Sequence, residues 1–215
     1  MRLVNYKNTF PKIGSDESGK GDFIGPLITV AIYLENNDIK DLNFVKDSKK
    51  LSDTFIKKNI KTLLNIKHKV IKINPKKYNQ LYSKFENINK ILGWAHATAI
   101  KNLIEQGLNP KIIIIDKFGP ENRVLYNIKD EKLKNKIVFF NKAEEDTSVA
   151  AASMLARYYF VKEMEKLSEI AGFKLPFGAS STVDNAVKEL LKRIDKKELQ
   201  NFVKLHFSNI KRVLN

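Results

Sequence analysis

Residues 111–116 read KIIIID, four isoleucines in succession closed by an acid. A strand with one wet face alternates apolar and polar residues, whereas a strand without alternation must be covered on both faces. Such strands belong to sheets that carry helices on either side, so this stretch commits the chain to a layered α/β architecture. Other segments agree. Residues 12–16 and 27–34 read as two strands joined by a glycine turn, and LITVAIYL (27–34) is rich in β-branched and aromatic residues. HKVIKI (68–73) and KIVFF (136–140) read as two more strands. Helices are expected after Ser52 over DTFIKKNIKTLL and after Asn74-Pro75 over KKYNQLYSKF. A longer one spans Ile88 to Glu105, with apolar residues at 88, 91, 92, 95, 99 and 103. Another runs from Ser148 to Leu167, and two more cover about 181–193 and 195–209. A mixed sheet flanked by helices is the architecture this order predicts. The loop GFKLPFGASS (172–181) divides it, giving a main domain over 1–178 and a helical appendage over 179–215.

The acids collect where those strands end. Asp16-Glu17 closes the first strand, Asp116 closes the isoleucine strand, and Glu144-Glu145-Asp146 follows the strand at 136–140. Functional groups of open α/β sheets gather at the carboxyl ends of strands. A turn such as Gly19-Lys20-Gly21 needs glycine but not two adjacent carboxylates before it, whose repulsion calls for a lysine or a divalent cation. The chain has no cysteine and only three histidines, so a metal site here would be built from oxygen, which suits Mg²⁺ or Mn²⁺. Two such ions about 3.5–4 Å apart serve phosphodiester hydrolysis. Each cluster also has a plainer reading: Asp116 as a turn former or cap, and Glu144-Glu145-Asp146 as favourable charge at a helix start.

The charge balance bears on partners. Against 24 Asp+Glu stand 39 Lys+Arg, a formal net charge of +15 spread along the chain. Such a field attracts polyanions, nucleic acid above all, although lysine-rich composition also serves solubility. No apolar run approaches the roughly 18 residues of a membrane span, and the amino terminus MRLVNYKNTFPK lacks the apolar core of a secretory signal. A cytoplasmic protein is expected.

The same residues carry a family resemblance. GSDESGKGDFIGPL (14–27) resembles the opening active-site motif of type 2 ribonucleases H, with Asp22 after the second glycine as in the bacterial ribonuclease HIII branch. DSKKLSD (47–53), INPKKYNQLYSKFENINKILGWAHATAI (73–100), IIIIDKFG (112–119) and KAEEDTSVAAASMLARYYF (142–160) resemble the pattern of that branch in order. The resemblance implies a ribonuclease H-like mixed five-stranded sheet. It implies Asp16, Glu17, Asp116 and Glu144 as catalytic, metal-binding acids for Mg²⁺ or Mn²⁺, and Gly19, Lys20 and Gly21 as contacts to ribose 2′-hydroxyls. Lys49 and Lys50 are expected to meet phosphates of an RNA–DNA hybrid, which a monomer would cut in its RNA strand to leave 5′-phosphate and 3′-hydroxyl ends. Two departures matter. That branch commonly carries an amino-terminal substrate-binding domain, whereas Asp16 here stands close to the start, so the catalytic body is expected to grip the hybrid itself. The spacing from Glu144 to AAAS (150–153) is one residue short, which leaves Glu145 open as the fourth ligand, with Glu144 preferred in its KAE context.

Two other functions stay in view. One is cleavage beside single ribonucleotides in duplex DNA, as in the HII branch, but that activity leans on a carboxy-terminal tyrosine that GFKLPFGASSTVD (172–184) lacks. The other is hybrid or RNA binding without catalysis, against which the intact acids argue. Trp94 and His96 are read as core or helix-surface residues, and for His68 and His206 the sequence alone points to no partner.

Overall fold

The computed structural model describes residues 6–45 and 52–214. Five strands, β1 (Lys12–Ser18), β2 (Leu27–Leu34), β3 (His68–Ile73), β4 (Ile112–Asp116) and β5 (Ile137–Phe140), form one sheet in the order β3-β2-β1-β4-β5. Strands β1, β4 and β5 run parallel. The connection from β1 to β2, residues 19–26, is too short for a parallel crossover, so the sheet is mixed. The helices are α1 (Asp53–Leu64), α2 (Pro75–Phe85), α3 (Ile88–Ile104), α4 (Asn122–Leu125), α5 (Glu131–Lys134), α6 (Thr147–Ala171), α7 (Ser181–Leu190) and α8 (Asn209–Leu214). Among the described residues no helix is long and apolar enough to cross a membrane.

The chain divides into two compact units. One gathers the described residues of Met1–Glu17, Thr29–Ile71 and Asn89–Tyr158; the other gathers those of Ser18–Ile28, Lys72–Ile88 and Tyr159–Asn215.

In the first unit the isoleucine strand is buried on both faces, as its lack of alternation requires. Ile113 and Ile115 pack with Ile13, Ala97, Ile100 and Leu103, while Ile114 packs with Ala143 and Val149. Gly14 lies level with Ile114. A Cβ added there would stand 2.2 Å from the Ser148 carbonyl carbon, so only glycine lets α6 come this close to β1. Ala150, Ala151 and Ala152 are all buried along the same helix. Their smallness serves packing. Ser52 caps α1, accepting from the Phe55 amide at 3.2 Å.

In the second unit, Asn74 caps α2 with its side chain on the Lys77 amide at 2.8 Å, and Pro75 fills the first turn. One expectation fails in this unit. Residues 195–209 do not form one continuous helix: a 3-10 helix covers Lys196–Asn201, and turns with a single bridged residue follow it. There Val203 makes an antiparallel bridge with Ile24, and the Gly25 amide donates to the Phe202 carbonyl at 2.8 Å. This isolated bridge to residues 23–25 interrupts the local helical pattern. Further on, Asp184 of α7 binds Asn209 and Arg212 of α8, and the Arg212 guanidinium holds its carboxyl below the usual range.

Candidate active site

The parallel register sets Ser15 level with Ile115, so the next residues, Asp16 and Asp116, stand side by side; Asp116 ends β4, whereas β1 runs on past Asp16 and Glu17 to Ser18. Asp116 is in turn level with Phe140 of β5. Beyond β5 the backbone turns at Lys142, whose φ is 59°, into a 3-10 helix, Ala143–Glu145. The Asp116 carboxylate accepts from the Ala143 amide at 2.9 Å and so ties that turn to the end of β4. The sheet thus brings together Asp16, Glu17, Asp116 and Glu144 within the first unit.

Successive strand residues point to opposite faces. Asp16, two residues after Gly14, takes a hydrogen bond from Ser153 of α6. Glu17 shares its face with Ser15, and its Oε2 lies 3.2 Å from Nε2 of His96 in α3. Adjacent acids are therefore held by different helices. Asp16 keeps part of its surface accessible but lies deep among protein atoms. Burial first, then the Glu17 charge and more weakly Asp116, push its carboxyl up to about 7. Burial likewise raises the Asp116 carboxyl, with the Glu144 and Glu17 charges adding to it and the Ala143 amide opposing.

The three acids after β5 separate by role. Glu144 is half-buried and its charge acts on Asp116. Glu145 is exposed and pairs loosely with Lys7 at 3.8 Å. Asp146 is buried and binds Lys12 Nζ at 2.8 Å. Glu144 and Glu145 border a cleft of about 610 Å³ whose lining includes Lys7, Asn8 and Asn36.

Among the described residues no group of three or more His, Asp or Glu side chains closes tightly enough to hold an ion as it stands. The donor chemistry nevertheless fits a hard divalent cation. The acids offer oxygen only; burial chiefly raises the Asp16 and Asp116 carboxyls and their neighbours' charges add to it, and a cation would offset both.

The turn that follows in the chain belongs to the second unit. Gly19 has φ +88°, and a Cβ on it would meet the Pro26 carbonyl oxygen at 2.2 Å. A Cβ on Gly21 would point into open space, so this backbone lies open to close approach. The Asp22 side chain accepts from the Gly178 amide at 2.6 Å, and Lys204 Nζ donates to the Asp22 carbonyl at 2.7 Å. Lys204 is fully buried, and burial lowers its ammonium to about 7 despite Asp22. Lys49 and Lys50 lie outside the described residues.

Reading the sequence placed His96 in the core or on the helix surface, and it is fully buried; its contacts with Ser15 and Glu17 were not foreseen. Ser15 and Glu17 two apart on one strand face gave a signal, but which helix residue covers them is set only by packing.

Comparison with known proteins gives the family. The family model described as Ribonuclease HII matches residues 13–210. The chain is 41% identical over 207 residues to the ribonuclease HIII of Protochlamydia amoebophila (strain UWE25), covering 95% of this chain and 68% of that protein. It is 42% identical over 203 residues to the ribonuclease HIII of Chlamydia pneumoniae, covering 92% and 68%. The solved structure of Bst-RNase HIII in complex with Mn²⁺ superposes with a TM-score of 0.88 at 34% identity, over 94% of this chain and 68% of that one. The chain therefore belongs to the ribonuclease HII family, in which its similarity runs to the ribonucleases HIII, and is a ribonuclease H.

Proposed function

We propose that this ribonuclease H cuts the RNA strand of RNA–DNA hybrids by metal-assisted hydrolysis, leaving 5′-phosphate and 3′-hydroxyl ends. The observation that carries this reading is the placement of Asp16 beside Asp116 on neighbouring strands, with Glu17 and Glu144 in the same field. These four carboxylates hold two divalent cations, Mg²⁺ or Mn²⁺; the Mn²⁺ complex of Bst-RNase HIII supports this choice. When bound, such ions make water easier to deprotonate and neutralise charge on the leaving oxygen. The protein's own part is to hold the carboxylates and to place the scissile phosphate. Gly19, Lys20 and Gly21 meet the ribose 2′-hydroxyls, the group that distinguishes RNA from DNA. The open backbone at Gly21 suits that close approach. Lys49 and Lys50 contact phosphates, within a chain whose formal net charge of +15 favours polyanions.

Incubating a uniform hybrid, the matching DNA duplex and a DNA duplex with one ribonucleotide, each with Mg²⁺, Mn²⁺ or a chelator, tests the proposal. Cleavage of the hybrid, silent under chelation and with the stated ends, is expected. Cutting that persists under chelation, or that spares no DNA duplex, overturns it.

The fourth ligand is separable. Glu144→Gln is expected to lose roughly 100-fold or more of the cleavage rate, beyond the about 10–100-fold typical of outer-shell changes. Glu145→Gln, exposed and paired only loosely with Lys7, should stay within about threefold of wild type. Single-turnover rates of the two variants check the order, and the reverse order moves the ligand to Glu145.

A further inference from the structure

We propose that His96 is a positioning residue for Glu17, fixing its carboxylate through Nε2 while Ser15 fixes the imidazole through Nδ1. The inference rests on the metal-site reading above and adds a residue to it.

The hydrogen-bond inventory determines the ring's orientation. Ser15 Oγ has one proton, which it donates to the Val30 carbonyl at 2.8 Å. Toward His96 Nδ1, at 2.7 Å, the hydroxyl must therefore accept, and Nδ1 must carry hydrogen. The other nitrogen, Nε2, then faces Glu17 Oε2 at 3.2 Å, and a single proton held between these two atoms makes the contact a hydrogen bond. A flipped ring would bring carbon to both partners. Packing holds the same pose, since the imidazole is fully buried and stacks on Phe118 at 4.9 Å with an interplanar angle of 11°. A relay thus runs from the β2 backbone at Val30, through Ser15 of β1 and His96 of α3, to Glu17. Each link has little freedom. Core packing alone is satisfied by an apolar ring of similar size, and it does not require a polar side chain at zero exposure with both nitrogens engaged. Partners of this kind orient metal-ligating carboxylates, and removing them typically lowers metal affinity by about 10–100-fold.

Asparagine and glutamine separate the two nitrogens. An Asn amide reaches only as far as Nδ1 and can keep Ser15; a Gln amide reaches as far as Nε2 and can keep Glu17. Mn²⁺ binding to the whole chain without nucleic acid, followed by the electron paramagnetic resonance signal of free Mn²⁺, reads the difference. His96→Gln is expected within about threefold of wild-type affinity, and His96→Asn weaker by about 10–100-fold. Equal affinity of the Gln, Asn and wild-type proteins overturns the proposal and leaves His96 as packing. If thermal melting shows that His96→Asn does not fold, Ser15→Ala decides. It spares His96 but loosens the ring, so a loss of about threefold or more is expected, and wild-type affinity overturns the proposal. Asp16→Asn serves as the control for the underlying site. A wild type that takes up no Mn²⁺, or an Asp16→Asn protein that binds it equally well, removes the metal reading itself and this inference with it.

Discussion

Asp16→Asn and Asp116→Asn are each expected to lower cleavage of a uniform hybrid to less than about one part in a thousand, while both proteins stay folded and melt no lower than wild type. The first half follows from position. These two residues lie side by side on adjacent parallel strands, and in the proposed metal site they would supply the shared oxygen ligands around which the other acids gather. A neutral amide cannot replace a carboxylate that must balance cationic charge, and each tenfold of rate corresponds to about 1.4 kcal/mol of transition-state stabilisation. A thousandfold loss therefore asks about 4 kcal/mol of the missing charge, well within what a ligand to a catalytic ion contributes. The second half follows from the electrostatics. Asparagine keeps the shape, and its carbonyl oxygen can still accept the Glu17 amide that Asp16 takes at 2.8 Å. What disappears is a charge that burial and Glu17 already disfavour, as the carboxyl raised to about 7 records. Functional sites often hold such unfavourable arrangements, and neutralising them tends to stabilise. Initial rates with Mg²⁺ and with Mn²⁺, alongside melting curves, check both halves. Cleavage near wild type by either variant would remove that residue from the site.

The sheet could be read from the chain because its information is local. Four consecutive isoleucines can only be a strand covered twice, and Ile113 and Ile115 on one face with Ile114 on the other bear that out. The acids at strand ends were legible for the same reason, since the end of a hydrophobic run is visible in one dimension. Two kinds of feature were not. Residues 195–209 have a helical pattern, but Val203 pairs with Ile24, and long-range strand pairing leaves no trace in local periodicity. The pairing of His96 with Ser15 and Glu17 joins positions about 80 residues apart. One helical histidine looks like another until packing selects its neighbours. The cluster at 144–146 was legible as acidic but not as divided, because a turn at Lys142 sends consecutive side chains to different surroundings.

That division yields the largest expected effect on stability. Asp146→Ala should destabilise the protein by about 3–5 kcal/mol, because it leaves Lys12 as a buried cation without its counter-charge. Both side chains are almost wholly buried, 1% and 2% exposed, and meet at 2.8 Å. Lys12 would retain the carbonyl oxygens of Tyr6 and Lys7, each at 3.0 Å, and the face of Phe10 at 4.6 Å. Those dipoles solvate an ammonium but do not neutralise it. The substitution also strips the start of α6, where Asp146 Oδ1 accepts from the Ser148 amide at 2.8 Å and from its hydroxyl at 2.5 Å. For a chain of this size the loss corresponds to a fall of about 6–20 °C in melting temperature. Removing both charges, in Lys12→Met with Asp146→Leu, should recover much of it, since an apolar pair of similar volume carries no desolvation cost. If the cost instead came from lost packing or the lost helix cap, the double variant would melt as low as Asp146→Ala. A single variant melting within about 2 °C of wild type would mean that the buried pair contributes nothing net, the outcome seen where desolvation cancels attraction and water reaches the remaining charge. The ion pair stands two residues beyond Glu144 in the chain, so the same variant should also loosen the turn that presents this acid. Asp146→Ala is therefore expected to need more Mn²⁺ for half-maximal cleavage than wild type even at temperatures where both are folded.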